Sequence, residues 1–497
     1  MSDPLLLAID QGTTGTTCLL VAPDGMVHRR AYRPLAVSYP RPGWVEQDPQ
    51  ALLTSVLEGC TELLADGTVP AALGITNQRE TLVVFSRGTL APVAPAIVWQ
   101  DRRSSTLCRE HRRRGEESEV RQRTGLLFDP YFTATKIEWL LRERPELRPA
   151  AERGELCAST VDCWLLARLS GGARIATDAS NASRTLLYDL RRGAFDPELC
   201  ALFDIPAGVL PEVVDTAGRL AMTDPAVMGM RIPISALAGD QQSALFGQAC
   251  IEPGMAKNTY GTGSFVLVNA GNEVPPPASG LLTTAAWRLG GRDTFALEGA
   301  IFVTGAGLQW LRDGLGMIAS AGEAGPLFDS VSDSNGCYFV PALAGLGAPH
   351  WDPEARGALL GLSAGVSRAH VVRAVVEAMA YRTREVVEAM AAAGTALAEL
   401  RVDGGASVMD GLCAFQADLL GVPVVRSTSA ETTAVGAALL AAVGEGLVDG
   451  PAAVAAGYLA GRRFEPADPG VPANRHWPGW QDAVRRVRSV EPETERR

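Results

Sequence analysis

The sequence predicts an α/β protein of two lobes with a cleft between them, and two observations carry this prediction. A short apolar run leads into the stretch Asp10–Gly15, DQGTTG, and a second β-favouring run follows it. The same order recurs where Lys257–Tyr260 leads into Gly261–Ser264, GTGS, and then into another apolar run. A strand, a Gly/Thr turn and a strand therefore open each half, which indicates a duplicated fold. Helical segments mixed with these strands make the class α/β.

The first half is predicted to begin with an antiparallel meander. Its strands are predicted at Leu5–Ile9, Thr16–Val21, Val27–Tyr32, Leu73–Thr76, Leu82–Phe85 and Ala96–Trp99. The second and third strands are joined by Pro23–Gly25, a tight-turn sequence. A helix then begins with Asp48 as its N-cap and Pro49 as its first residue, and it ends near Gly67.

The second half is predicted to begin near Ile251–Gly254, so that the two lobes comprise residues 1–250 and 251–497. Its predicted elements are the strand Phe265–Asn269, a long amphipathic helix capped by Ser367, the strand Leu400–Asp403, and a helix over Asp410–Leu420 that Gly421 stops. Both halves thus combine strands with helices of ordinary length.

Composition excludes several classes of function. The chain of 497 residues carries a net charge of −11, which argues against nucleic acid or an anionic membrane as a general partner, because both need a positive surface. The most apolar segment, near Ala434–Val443, is too short for a membrane span. Nine cysteines occur without CxxC spacing. Because an odd number cannot pair completely within one chain, we expect a reduced, cytoplasmic location.

The DQGTTG turn has the composition of an anion-binding site. It is neither a GxxxxGK[ST] loop nor a GxGxxG loop, but glycines let backbone N–H groups point together and threonine hydroxyls add donors. Asp10, at the end of the preceding strand, could hold Mg²⁺ directly or through water. For this stretch alone, a hairpin turn with an exposed acid is the commoner structure. Its recurrence as Gly261-Thr262-Gly263 favours two turns that face phosphates.

Two further stretches carry polar groups suited to a small substrate. Arg79 and Glu80, in ITNQRE, offer paired donors and acceptors for vicinal hydroxyls, with a surface ion pair as the alternative. Asp240, in AGDQQ, follows an apolar run. It could act as a general base in a cleft, or as the N-cap of the helix-like stretch that follows.

The remaining candidates have two interpretations each. Trp99, Tyr131 and Phe265 are either core residues or the walls of a polyol site. Gly404 and Gly405, in VDGGAS, either form a plain turn or let the backbone lie against a flat ligand such as adenine. The Arg-rich run Arg109–Arg114 is predicted to be part of a solvated helix with mixed charges and is given no function.

Taken together, these stretches resemble the FGGY family of carbohydrate kinases, and within it the members that act on glycerol. The resemblance runs from about residue 5 to about residue 440 and includes GITNQRETLVVF, AIVWQDRR, TGLLFDPYFTATKIEWLL, RIPISALAGDQQSALFGQ, KNTYGTGSFVLVN and RVDGGAS. It implies two lobes of a duplicated actin-like (ribonuclease H-like) ATPase fold, with ATP and polyol meeting in the interdomain cleft. The implied reaction is phosphorylation of glycerol to sn-glycerol 3-phosphate by ATP with Mg²⁺.

The resemblance also implies a role for each matching position. Asp240 would be the general base, and Asp10 would help to hold Mg²⁺. The residues implied for the polyol are Arg79, Glu80, Trp99, Tyr131, Asp240, Gln241 and Phe265. The residues implied for the nucleotide are Thr13, Thr14, Gly15, Thr262, Gly305, Gln309, Gly404 and Gly405. A homo-oligomer, either a dimer or a tetramer, is expected.

Three departures from the family pattern leave alternatives open. Thr17 stands where an Arg usually approaches the nucleotide phosphates, and Met409 stands where an Asn is expected near the adenine. The stretch AVMGM replaces a Gly-rich loop, so regulation by a sugar phosphate is not implied. One alternative is a family kinase for another polyol or sugar. The other is a degenerate kinase that serves as a nucleotide-binding regulator.

Overall fold

One mixed sheet of thirteen strands runs through the computed structural model, which describes residues 4–467 and 475–489. The strands in chain order are β1 (Leu6–Gln11), β2 (Gly15–Val21), β3 (Val27–Pro34), β4 (Glu46–Gln47), β5 (Ala72–Asn77), β6 (Val83–Ser86), β7 (Ala96–Ile97), β8 (Leu156–Ser159), β9 (Ala176–Asp178), β10 (Tyr188–Asp189), β11 (Ala194–Phe195), β12 (Glu212–Val214), β13 (Ala217–Met222), β14 (Pro233–Gly239), β15 (Met255–Tyr260), β16 (Ser264–Gly271), β17 (Leu282–Leu289), β18 (Arg292–Ile301), β19 (Tyr338–Val340), β20 (Ala358–Leu360), β21 (Glu399–Gly404), β22 (Val424–Ser427) and β23 (Ala460–Phe464). The large sheet has the order β23-β22-β21-β15-β16-β18-β17-β13-β14-β5-β1-β2-β3, and the other strands form two-stranded sheets.

Helices of varied length connect these strands. In chain order they are α1 (Pro49–Leu64), α2 (Ser105–Arg113), α3 (Glu117–Thr124), α4 (Thr133–Glu143), α5 (Arg148–Glu152), α6 (Val161–Leu169), α7 (Ala179–Ala182), α8 (Pro197–Leu202), α9 (Pro225–Met228), α10 (Asp240–Gly247), α11 (Gly305–Gln309), α12 (Ala324–Asp329), α13 (Arg368–Ala392), α14 (Asp410–Leu420), α15 (Thr432–Gly444) and α16 (Gly450–Gly457). A further helix, Trp477–Val487, lies near the end of the described residues.

The antiparallel meander predicted at the start of the chain is confirmed. β1 pairs antiparallel with β2, and β2 pairs antiparallel with β3. β5 lies parallel to β1, and β14 lies parallel to β5. In this register Gln11 lies opposite Asn77, and Asn77 lies opposite Gly239. The carboxyl ends of three parallel strands therefore meet at one edge of the sheet, where α/β proteins commonly bind ligands.

The second half repeats the arrangement of the first. β15 pairs antiparallel with β16 through the turn that contains Gly261–Gly263. β21 lies parallel to β15, with Tyr260 opposite Gly404. The second Gly/Thr turn and the paired glycines of VDGGAS therefore lie side by side at the ends of neighbouring strands, and the duplication predicted from the sequence is confirmed.

The two halves are joined by close backbone contacts. β13 and β17 form a parallel pair at Ala217 and Leu289, which makes one continuous sheet. Helix α15, from the second half, packs on β1, β5 and β14 of the first half. A Cβ added to Gly74 would overlap the carbonyl oxygen of Ala437, and one added to Gly436 would overlap the backbone of α10. Glycine at these positions lets α15 lie directly against its neighbours.

Capping residues and glycines in the sequence correctly predicted the ends of two helices. One predicted strand is shorter than expected. The Asp48 Oδ1 atom accepts a hydrogen bond from the Gln50 amide at 2.9 Å, and Gly421 takes the left-handed conformation that ends α14. Of the predicted strand Ala96–Trp99, only Ala96–Ile97 is a strand. The amide of Trp99 donates instead to the hydroxyl of Thr81 at 3.2 Å, so the ladder ends early.

Within the described ranges, the structure contains no helix that combines the length and the apolar character needed to cross a membrane.

Candidate active site

Arg79 lies at the centre of the polar cluster at the carboxyl edge of β1, β5 and β14. Its side chain is only 2% exposed. Its Nη1 donates to Glu298 Oε2 at 2.6 Å, and its Nη2 donates to Glu298 Oε1 at 3.3 Å and to the Tyr131 hydroxyl at 3.4 Å. Its Nε lies 3.0 Å from Asp240 Oδ1. The surface ion pair considered for Arg79 and Glu80 is wrong, because both side chains are buried.

Glu80 is held in an unusual backbone conformation beside Arg79. Its φ is +60°, which few residues other than glycine adopt. The carbonyl of Glu80 accepts a hydrogen bond from Lys136 Nζ at 2.8 Å, and its side-chain Oε1 accepts one from Arg184 Nε at 2.6 Å. Burial raises the pKa of Glu80, and Arg79 and Arg184 oppose that rise. Strain of this kind commonly marks functional sites.

Asp240 begins α10 directly after β14. Gly239 is the N-cap and Asp240 is the first helical residue, so the N-cap interpretation of Asp240 is wrong. Asp240 Oδ1 accepts a hydrogen bond from the Gln241 amide at 2.7 Å, and its side chain is 30% exposed. A Cβ on Gly239 would lie 2.8 Å from the side chain of Arg79. The missing side chain at Gly239 therefore lets Asp240 and Arg79 meet.

Three predicted aromatic residues surround this cluster. The rings of Trp99 and Tyr131 meet edge to face with centroids 5.7 Å apart. The Arg79 guanidinium carbon lies 5.9 Å from the centre of the Phe265 ring. Trp99 Nε1 donates to the Thr13 hydroxyl at 2.9 Å, which connects the aromatic wall to the first Gly/Thr turn. All three residues are partly exposed.

The first Gly/Thr turn is a tight hairpin with one exposed threonine. The Gly12 amide donates to the Gly15 carbonyl at 3.0 Å. Thr13 is fixed by Trp99 and its carbonyl accepts from Gln47 Nε2 at 2.7 Å, whereas Thr14 is exposed. Gly15 is buried beneath the Tyr32 ring, and a Cβ there would overlap that ring. Of the three predicted nucleotide residues in this turn, Thr14 is the one that solvent reaches freely.

Asp10 is an acidic residue near the end of β1. Within the described residues its side chain makes no hydrogen bond and no ion pair. Burial, Asp240 and Glu431 together raise the pKa of Asp10 to about 8. Thr17 lies directly opposite Asp10 in the β1–β2 pair, so the position where the family usually has an Arg supplies no cation here.

The second Gly/Thr turn opens onto a large cavity. The Gly305 amide donates to the Gly261 carbonyl at 3.0 Å, which places the start of α11 against the turn. The cavity has a volume of about 620 Å³, within the range of small-ligand sites. Its walls include four residues predicted for the nucleotide, namely Thr262, Gly305, Gln309 and Gly405. Met409 also lines the cavity. Gly404 has a φ of +84°, and its backbone packs directly against the backbone of Tyr260, the residue that precedes the turn.

Two protein-family models match the chain, one in each half. The N-terminal domain of the FGGY family of carbohydrate kinases matches residues 5–247, and the C-terminal domain of that family matches residues 256–445. The chain belongs to the FGGY family of carbohydrate kinases. This FGGY kinase therefore has a fold of two lobes, and the predicted fold class is confirmed.

The FGGY kinase is similar over its full length to proteins named as glycerol kinases. It is 50% identical over 491 residues to a glycerol kinase of Rhodospirillum rubrum, which covers 98% of this chain and 99% of the relative. It is 51% identical over 486 residues to one of Citrifermentans bemidjiense, which covers 97% of this chain and 98% of the relative. A crystal structure of Plasmodium falciparum glycerol kinase with ADP superposes with a TM-score of 0.94 at 31% identity and covers 99% of both chains.

Three charged residues of the FGGY kinase site were missed from the sequence. Arg184 and Glu298 complete the Arg79 cluster. Lys257 Nζ donates to Gln241 Oε1 and, at 3.3 Å, to the Thr259 hydroxyl. Burial lowers the pKa of Lys257 to about 8, although nearby carboxylates oppose that shift. No local motif distinguishes these residues, because their contacts are made only by the tertiary fold.

Proposed function

We propose that this kinase transfers the γ-phosphoryl group of ATP to a terminal hydroxyl of glycerol. The observation that carries the proposal is the buried cluster of Arg79 and Glu80 beside the partly exposed carboxylate of Asp240. A site built to hydrogen-bond hydroxyl groups strongly disfavours analogues that lack them. The relatives named as glycerol kinases, at about 50% identity over nearly the whole chain, support the same substrate.

Asp240 acts as the general base in the proposed reaction. Its Oδ1 is held by Arg79 and by the Gln241 amide, and its Oδ2 accepts no hydrogen bond from the described residues. This leaves Oδ2 to orient the attacking hydroxyl and to accept its proton. Trp99 and Phe265 pack against the carbon chain of glycerol. Phosphoryl transfer depends mainly on positioning and on charge neutralisation, which suits a site of fixed polar groups.

Asp10 fits a Mg²⁺ ion. The support for this assignment is the Asp10 carboxylate itself, which has no hydrogen-bond partner among the described residues and whose pKa burial, Asp240 and Glu431 raise. The described residues contain no group of three or more His, Cys, Asp or Glu side chains that could hold a metal. Mg²⁺ commonly takes one or two protein carboxylates and completes its shell with water and phosphate oxygens. When bound, it would neutralise charge on the nucleotide phosphates.

In this proposal one lobe binds most of the polyol and the other binds the nucleotide. Residues 1–250 form the lobe that carries most of the polyol site and the first phosphate turn. Residues 251–497 form the lobe that binds the nucleotide, with adenosine in the cavity beside Gly405 and phosphates at Thr262. The matches of the two family models, 5–247 and 256–445, support this division. A homo-oligomeric state and a cytoplasmic location stay predictions.

A coupled ADP-release assay over a panel of acceptors tests the proposed function. With Mg-ATP we expect the highest kcat/KM for glycerol among polyols and keto-sugars. A higher kcat/KM for another polyol or sugar would favour an FGGY kinase of different specificity. Nucleotide binding without ADP release on any acceptor would instead favour the degenerate regulator.

A further inference from the structure

Four buried charged residues form a connected cluster behind the proposed polyol site. Arg79, Glu80, Arg184 and Glu298 are each between 0% and 2% exposed. Glu298 accepts hydrogen bonds from Arg79 on both of its oxygens and from Arg184 Nη2 on Oε1 at 2.9 Å. Arg184 Nε in turn donates to Glu80 Oε1 at 2.6 Å. Two positive and two negative charges therefore balance within one cluster that is buried from solvent.

Glu298 is the member of this cluster that the second half of the chain supplies. It lies on β18, where β16 and β17 flank it with Leu267 and Leu282 opposite. Arg79 and Arg184 come from the first half. Burial opposes ionisation of Glu298, but Arg184 and Arg79 overcome it and lower the pKa of Glu298 to about 2. Glu298 is thus a fixed anion that reaches the polyol side of the cleft from the opposite lobe.

The cluster also contains open hydrogen-bonding positions. Arg184 Nη1 is buried and has no hydrogen-bond partner among the described residues. Glu80 Oε2 accepts no hydrogen bond from the described residues. An unmade donor in a buried ion cluster is costly, and a hydroxyl group can serve both a donor and an acceptor. If the cluster served only to stabilise the fold, hydrogen bonds from other protein groups to these two atoms would make the folded state more stable.

We propose that Glu298 and Arg184 are positioning residues for the acceptor: Glu298 fixes the plane of the Arg79 guanidinium, and Arg184 fixes the carboxylate of Glu80. Acceptor recognition by the first lobe then depends on a side chain of the second lobe. The inference rests on the proposed function, because it assigns how the polyol site of that function is built. It predicts that loss of either residue weakens binding of glycerol and leaves binding of ATP intact.

Steady-state kinetics of Glu298→Gln and Arg184→Lys test this inference. Glu298→Gln keeps the shape of the side chain and removes its charge, and Arg184→Lys keeps the charge and removes the two-pronged geometry. A hydrogen bond to a charged group is stronger than one between neutral groups, so we expect KM for glycerol to rise roughly 10- to 100-fold in each variant, which corresponds to about 1.4–2.7 kcal/mol. KM for ATP should change less than about threefold. The preference for glycerol over 1,2-propanediol, which lacks one hydroxyl, should shrink in the same variants.

A matched control is Glu377→Gln, which neutralises a buried carboxylate paired with Arg373 at 2.7 Å on α13. It should leave KM for glycerol and the preference over 1,2-propanediol unchanged. Equal rises of both KM values, or an unchanged preference, in Glu298→Gln and Arg184→Lys would overturn the inference. If Glu298→Gln fails to fold, Arg184→Lys decides by the same criteria. Failure of the proposed function is distinct, because the wild-type protein would then not phosphorylate glycerol.

Discussion

At the scale of single residues, the proposed acceptor site and the proposed metal site differ in how their charged side chains are paired. On the acceptor side, Arg79 has Glu298 and Asp240 as partners within 3.0 Å. At the proposed metal site, no basic side chain among the described residues pairs with Asp10, and Thr17 lies opposite it in the β1–β2 pair. The charges of the proposed acceptor site are therefore paired within the protein, whereas the Asp10 carboxylate of the proposed metal site has no such pairing among the described residues. This asymmetry makes the ligand-free protein sensitive to pH.

Asp10 should make stability fall as pH rises. Its pKa is raised from 3.8 to about 8, so between pH 4 and pH 8 the folded protein holds a proton on Asp10 that the unfolded chain has released. The state that binds more protons is favoured at low pH, and the free energy of unfolding therefore decreases as pH rises through this window. The variant Asp10→Asn does not titrate and should lack this loss.

Urea unfolding in Mg²⁺-free buffer at pH 5.5 and pH 8.5 measures the effect. The wild-type protein should lose more stability between these values than Asp10→Asn does. Asp24→Asn, at an exposed turn, should keep the wild-type dependence. Equal losses in the wild-type protein and in Asp10→Asn would show that Asp10 is already ionised at pH 5.5, contrary to this account.

At the scale of elements, two glycines let the ends of strands approach the groups that are proposed to bind each substrate. A Cβ on Gly239 would lie 2.8 Å from the Arg79 side chain, and one on Gly263 would lie 2.5 Å from the Ile301 carbonyl oxygen. Both distances are too short for a carbon atom, so alanine must displace its neighbour. The first change should disturb the proposed acceptor site, and the second should disturb the turn proposed to bind the nucleotide phosphates.

We therefore expect each alanine variant to raise the KM of a different substrate. Gly239→Ala should raise KM for glycerol by roughly tenfold or more, and Gly263→Ala should do the same to KM for ATP, since small displacements of binding groups are costly. Gly88→Ala, whose Cβ would find its nearest neighbour at 4.0 Å, should change neither. Steady-state kinetics with each substrate varied in turn distinguish these outcomes, and parallel changes in both KM values would contradict the assignment.

Element ends could be predicted from sequence where a local signal decides them. Asp48 with Pro49 and the left-handed Gly421 acted as expected, because a cap needs only its neighbours along the chain. The strand Ala96–Trp99 was predicted too long, because the amide of Trp99 bonds to a side chain 18 residues away. A local sequence pattern does not predict hydrogen bonds to residues that are distant along the chain.

The same distinction applies to the candidate site: residues with a local signal could be predicted from the sequence, and residues that depend on distant contacts could not. Arg79, Glu80 and Asp240 could be found because a polar residue after an apolar run is visible in the sequence. Glu298 and Arg184 could not be found this way, since they are 114 residues apart and meet only in the folded protein. The same holds for the burial of Gly15 beneath Tyr32, which depends on how β2 and β3 pair.

At the scale of the whole molecule, the two halves form one working unit. Helices α10 and α15 pack closely across the junction, and Glu298, from the second half, bonds to Arg184 of the first half beside the proposed acceptor site. The departures from the family pattern leave this arrangement intact. Thr17 lies within the β1–β2 pair, and the cavity of about 620 Å³ that is proposed for the nucleotide is present with Met409 in its wall. An active kinase is therefore favoured over a degenerate regulator.

The turnover of Asp240→Asn with saturating glycerol and Mg-ATP tests the central claim most directly. General-base catalysis contributes about 10²- to 10⁴-fold to a rate, so kcat for ADP release should fall by that factor. KM for ATP should stay near the wild-type value, because Asp240 lies on the acceptor side. If Asp240→Asn retains the wild-type kcat, Asp240 does not accept the proton and the proposed mechanism is contradicted.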